Sequence, residues 1–153
     1  MLRTVVLLAL TVFVLLGLVS GCSEDPKEAP KKTVIALFGA MEKNDPAALP
    51  YLLDLEELML SMNEDYALQT DSPRVFTSPE EILEDLTGDG RTKQIWFSLQ
   101  RIISETRLLD STTASVDVTF VDKERSRGYR TRFGLHLING KWKIYSFQTL
   151  SGR

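Results

Sequence analysis

Apolar residues fill almost every position from Val5 to Val19, after Met1, Leu2 and Arg3, and the run closes on small residues followed by acidic ones. A positive charge ahead of a short apolar stretch is the order of an export signal, and the stretch falls short of the roughly 20 apolar residues that a membrane-spanning helix needs. Beyond it the apolar residues become periodic. Val34, Leu37, Phe38 and Met41 fall at helical spacing between Lys31 and Lys43, with Ile35 widening the stripe and the charged residues opposite. Asn44-Asp45-Pro46 predicts a stop and a restart: Asp45 as N-cap, Pro46 in the first turn, then Leu49, Leu52 and Leu53 in a short helix limited by Pro50. Leu55, Leu58, Met59 and Met62 predict another helix through Asp65, and Gln69 to Pro73 has loop composition. Ser78-Pro79-Glu80-Glu81 reads as a capped start, with Ser78 capping and Glu81 completing the box, and Gly88-Asp89-Gly90 ends that helix.

The stretch from Thr92 to Leu109 is open between helix and strand: Ile95, Trp96, Leu99, Ile102 and Ile103 fit a helix, Ile102 to Leu109 also fits a strand, and the expectation is a strand from about Arg101, with Thr92 to Gln100 undecided. After Ala114 the period becomes two. Val116, Val118 and Phe120 alternate with Asp117 and Thr119, and the alternation returns in Tyr129, Thr131, Phe133, Leu135 and Leu137, then in Trp142 and Ile144. Asn139-Gly140 predicts a type I′ hairpin, because both central residues of that turn need positive φ. The register that follows pairs Leu137 with Trp142, Leu135 with Ile144, His136 with Lys143 and Gly134 with Tyr145. Extended back through the Glu124 to Arg127 loop, it sets Val118 against Phe133 and Asp117 near Arg132. The other face then carries Arg130, Arg132, His136 and Lys143 with Val121, Tyr145 and Phe147.

Helices followed by an antiparallel sheet with one apolar face predict an α+β domain, the helices packed on that face. The opening helix from Val34 to Asp45, the Leu52-Leu53-Asp54 that follows, and the closing Leu135-His136-Leu137-Ile138-Asn139-Gly140-Lys141-Trp142-Lys143-Ile144 resemble NTF2-like (cystatin-like α+β cone) domains, especially small members in bacterial lipoproteins. The resemblance spans about residues 31 to 149. It implies a twisted sheet wrapped into a cone, with a pocket at its open end.

Leu18-Val19-Ser20-Gly21-Cys22 resembles the lipobox of bacterial lipoproteins, in which the cysteine receives diacylglycerol, and Cys22 is the chain's single cysteine. The expected organisation is a signal over residues 1–21, a lipidated tether over 22–30 and one NTF2-like domain over 31–150. No intramolecular disulfide is available, so stability must come from a core, which 132 residues after the signal are enough to build. The whole chain carries 18 basic and 21 acidic residues, and loss of Arg3 with the signal deepens the net charge of −3. That balance argues against nucleic acid. The resemblance implies a cell-envelope location, and Ser23 after the cysteine is similar to the signal that sends lipoproteins to the periplasmic face of the outer membrane.

Enzymes with NTF2-like domains hold a carboxylate or histidine base and a tyrosine or acid donor inside the cone. No matching motif is present here. His136 and Asp117 fall by strand parity on the outer face, the latter beside Arg132 as an ion pair. One histidine and one lipidated cysteine leave only carboxylates for a metal, and Glu56-Glu57, Glu80-Glu81 and Glu84-Asp85 belong to solvated helix faces. The reading is therefore a non-catalytic binding or protein-interaction module with no metal and no cofactor; the alternative is a small-molecule-binding or isomerase- or dehydratase-type domain. Tyr51, Tyr66, Trp96, Phe133 and Trp142 are candidates to line a pocket, with core as their competing role. The outer sheet face could meet a second copy or an envelope partner.

Overall fold

The computed structural model describes residues 25–69 and 75–150, with side chains for all of these except 66–69. The signal segment, Cys22, and the 70–73 part of the expected loop lie outside the described residues. Five helices come first: α1 (Glu28–Glu42), α2 (Leu49–Leu52), α3 (Leu55–Gln69), α4 (Pro79–Leu86) and α5 (Arg91–Phe97). Four strands follow, β1 (Gln100–Leu108), β2 (Thr113–Asp122), β3 (Arg127–Ile138) and β4 (Lys141–Leu150), in an antiparallel sheet whose order is the chain order. The architecture is α+β, with the helices packed against the sheet and α3 running along β4.

Local chemistry explains the helix starts and corrects three expectations. Asp25 accepts the Lys27 N–H on its carboxylate at 3.0 Å and the Glu28 N–H on its carbonyl at 2.8 Å, so α1 opens at Glu28 and takes in residues assigned above to the tether. Asp45 does accept the Ala48 N–H, at 3.1 Å, but Pro46 to Ala48 form a turn and α2 is a single turn from Leu49. Glu81 reaches back to Thr77 rather than Ser78: its carboxylate accepts the Thr77 N–H at 2.8 Å and the Thr77 hydroxyl at 2.9 Å. The undecided stretch is helix to Phe97, and the strand starts at Gln100, one residue before the expected Arg101.

The predicted stripe Val34, Leu37, Phe38 and Met41 is buried against Val116, Val118, Phe120, Phe133, Leu135 and Ile144. At the centre the rings pack edge to face or stacked: Phe38 lies 5.8 Å from Trp96 and 5.9 Å from Phe133, and Trp96 lies 5.2 Å from both Phe120 and Phe147. Burying each such side chain contributes about 1.5–3 kcal/mol, and the ring geometry adds to that. Leu53 bridges to Ile144, and the Asp54 N–H donates to the Ile144 carbonyl at 2.9 Å, which fastens the start of α3 to the β4 edge.

The Asn139-Gly140 turn has φ of 49° and 74°, and Leu137, Leu135 and His136 face Trp142, Ile144 and Lys143 as the hairpin rule predicts. Gly140→Val should therefore destabilise the domain by about 1–3 kcal/mol, through strain alone because no atom lies within 4 Å of a Cβ there. Chemical denaturation should show an unchanged m-value and a lower midpoint. Beyond Leu135 the expected register fails. A bulge sets Gly134 opposite Ser146 and leaves Tyr145 unpaired, so Phe147 turns from the outer face into the core, where it pairs with Phe133. On the other side Asp117 does meet Arg132, but Val118 faces Thr131 and Phe133 faces Val116, a consequence of the four-residue loop closed by Ser126 at φ 51°.

Candidate functional site

Strand parity continues the inner face of β3 and β4 beyond the aromatic cluster to Thr131 and its cross-strand partner Thr149. There the helical cover thins, and a cleft of about 300 Å3 opens between α3, α5, β3 and β4. Its apolar walls are Met62, Ile95, Trp96 and Phe147. Met62 and Asp65 stand three apart on α3 and so share a face, as do Thr92, Ile95 and Trp96 on α5. The polar groups are the Asp65 carboxylate, the Tyr129 phenol and the hydroxyls of Thr92, Thr131 and Thr149. Ile95 and Thr149 are exposed, which leaves the mouth open to solvent. Such a site can hold a small, largely apolar molecule and fix its polar edge.

Of the aromatic candidates, Trp96 forms a wall of this cleft. Phe133 is wholly buried in the core, and Trp142 is half-buried against it, opposite Leu137. Tyr51 is 70% exposed on α2 and takes no part in the cleft. The Tyr66 side chain lies outside the described residues. Asp65, Tyr129 and the three threonines were not among the candidates, although the Met62–Asp65 spacing on an amphipathic helix already places an acid beside a core residue.

His136 and Asp117 lie outside the cleft, on the opposite sheet face. His136 Nε2 stands 3.0 Å from Asp54 Oδ2, with its ring 4.9 Å from the Tyr145 ring, and Lys143 Nζ donates to the Pro50 and Leu53 carbonyls. These contacts tie β3 and β4 to the chain between α2 and α3. Asp117 is 2% exposed and accepts a forked pair from Arg132, Nε at 2.8 Å and a terminal nitrogen at 3.1 Å, with Arg130 at 3.8 Å. The hydrogen bond that Arg132 donates to the Asp117 carboxylate holds its guanidinium above its ordinary pKa. Among the described residues no group of His, Cys, Asp and Glu is placed to hold a metal ion, and no helix is long and apolar enough to cross a membrane.

No protein-family model matches the sequence, and neither does any curated protein. Solved structures do. An NTF-2 like protein of unknown function from Shewanella oneidensis MR-1 matches with a TM-score of 0.51 at 14% identity, over 82% of this chain and 98% of that one. A chain whose name marks it as an NTF2 variant with five substitutions matches with a TM-score of 0.52 at 12% identity, over 82% of this chain and 100% of that one. Identities this low speak to the fold alone. With helices first and a four-stranded antiparallel sheet folded against them, this chain has the NTF2-like α+β fold.

Proposed function

We propose that this chain is a lipid-anchored protein of the bacterial cell envelope whose NTF2-like domain binds a small molecule in the cleft without turning it over. The cleft carries the binding part of the reading: an apolar trough with Trp96 and Phe147 on its walls and a few convergent polar groups is the form of a ligand site. The anchor rests on the export-type apolar run and the lipobox resemblance ending at Cys22, and Ser23 favours the periplasmic face of an outer membrane. A non-catalytic role is supported by the position of His136 and Asp117 on the far side of the sheet. Asp65 and Tyr129 in one cleft favour a second reading, acid–base chemistry of the isomerase or dehydratase kind.

The test is one preparation of the full chain from cells fed labelled palmitate, purified in detergent and screened against cyclic ketones, phenols and fused-ring alcohols. Label should be present and lost in Cys22→Ala; label that persists removes the anchor. At least one compound should raise Tm in the wild type and not in Ile95→Arg, which fills the mouth of the cleft, and it should be recovered unchanged. Consumption that stops in Asp65→Asn would install the enzymatic reading instead.

A further inference from the structure

The outer face of the sheet carries a second cavity, of about 420 Å3, walled on one side by α3. Its floor is a row that the strand register draws across the sheet: Arg107 opposite Ser115, Ser115 opposite Gly134, Gly134 opposite Ser146. Gly134 makes room for Ser146 and Tyr145 to pack over that floor. A Cβ there would stand 2.3 Å from the Ser146 hydroxyl and 2.9 Å from the Tyr145 ring, both brought to the spot by the bulge. Ser115 and Ser146 are 5% and 8% exposed and both line the cavity, yet neither hydroxyl has a hydrogen-bond partner among the described residues. Both oxygens reach the cavity, so the pair can donate to one acceptor of a molecule held there.

The walls carry opposite charges. Arg107 and Arg132 stand on the sheet side, and Glu57 and Glu64 on the α3 side. Arg107 gives one terminal nitrogen to Glu105, and Arg132 gives Nε and one terminal nitrogen to Asp117, so each guanidinium keeps donors to spare. A simple anion would meet the glutamates and a simple cation the arginines, whereas a molecule with both charges satisfies both walls. Leu60 and Leu109, 60% and 64% exposed, add an apolar rim.

We infer that this cavity binds a zwitterionic amino acid or short peptide with an aliphatic side chain. The carboxylate sits on Arg107 and the two serine hydroxyls, the ammonium on Glu57 and Glu64, and the side chain against Leu60 and Leu109. This site shares no residue with the cleft, and the inference does not depend on the anchor or on what the cleft holds.

The probe is leucyl-leucine, titrated calorimetrically into the full chain in detergent, alongside its N-acetyl form and its C-terminal amide. Each blocked form should bind about tenfold more weakly, the worth of a hydrogen-bonded charge. Arg107→Gln should weaken leucyl-leucine by about the same factor and leave the amide unchanged; Glu57→Gln with Glu64→Gln should do the same for the ammonium end, leaving the acetylated form unchanged. All three side chains are on exposed residues, and an unchanged Tm in these variants excludes misfolding as the cause. Equal binding of the three probes overturns the proposal, as does an absence of binding in the millimolar range. A concentration-dependent dimer that Leu60→Glu dissociates and leucyl-leucine does not displace would assign the cavity to a second copy of the chain and overturn it as well.

Discussion

Gly90→Ala is expected to cost the domain about 3 kcal/mol or more and to lower Tm by roughly 10 °C. The α4–α5 corner has no room for a side chain at this position: an added Cβ would lie 2.3 Å from the carbonyl oxygens of both Glu84 and Asp85. Those atoms belong to the last turn of α4 and cannot rotate away as a side chain would. The corner is tightly bonded, with the Gly90 N–H donating to the Thr87 carbonyl at 2.9 Å and the Gln94 N–H donating to the Gly90 carbonyl at 2.9 Å. Asn44 braces it from outside, accepting the Gly88 N–H at 2.8 Å and the Lys93 ammonium. The control is Gly39→Ala in α1, where a Cβ meets nothing within 4 Å; it should stabilise by about 0.5–1 kcal/mol, because a helix interior favours alanine. Thermal melts of the two variants that moved in the same direction would refute the argument from close approach.

Trp96→Ala should cost about 3–5 kcal/mol, the largest loss expected from any single side chain here. Trp96 is 6% exposed and touches four rings, those of Phe38, Phe120, Phe133 and Phe147, which come from α1, β2, β3 and β4. Removing it opens a void that four elements would have to close together, and a close-packed interior relaxes only in part. Trp142→Ala, at a half-buried position beside the hairpin, should cost markedly less. Equilibrium urea unfolding of the pair, followed by far-UV circular dichroism, checks both values; equal losses would mean that Trp96 is not the centre of the core.

Much of this fold could be read from periodicity because the spacings that predict helices and strands are the same ones that bury side chains. Val34, Leu37, Phe38 and Met41 are buried as their spacing requires, and Asn139-Gly140 sets the hairpin because its backbone conformation is written in its residue types. The bulge had no such signature. A strand that slips one position still alternates, so Tyr145, Ser146 and Phe147 read equally well in either register, and only Gly134, which makes the slip possible, hinted at it. That slip matters for both candidate sites, since it turns Phe147 into the cleft wall and Ser146 onto the outer floor. The cleft itself was hardly legible: Met62, Thr92, Thr131 and Thr149 come from four elements, and proximity among distant segments is a property of tertiary packing. Candidates picked by residue type favoured aromatics, of which Trp96 reached the cleft and Phe133 stayed in the core.

Ile95 and Trp96 are consecutive on α5, one forming the exposed lip of the cleft and the other held among the core rings. A wall pinned in this way cannot swing outward to admit a guest without pulling the tryptophan from four neighbouring rings. A molecule of the kind proposed for the cleft should therefore meet a preformed shape in one step, its association rate rising in proportion to its concentration; a rate that levels off at high concentration would reveal a slow opening step instead.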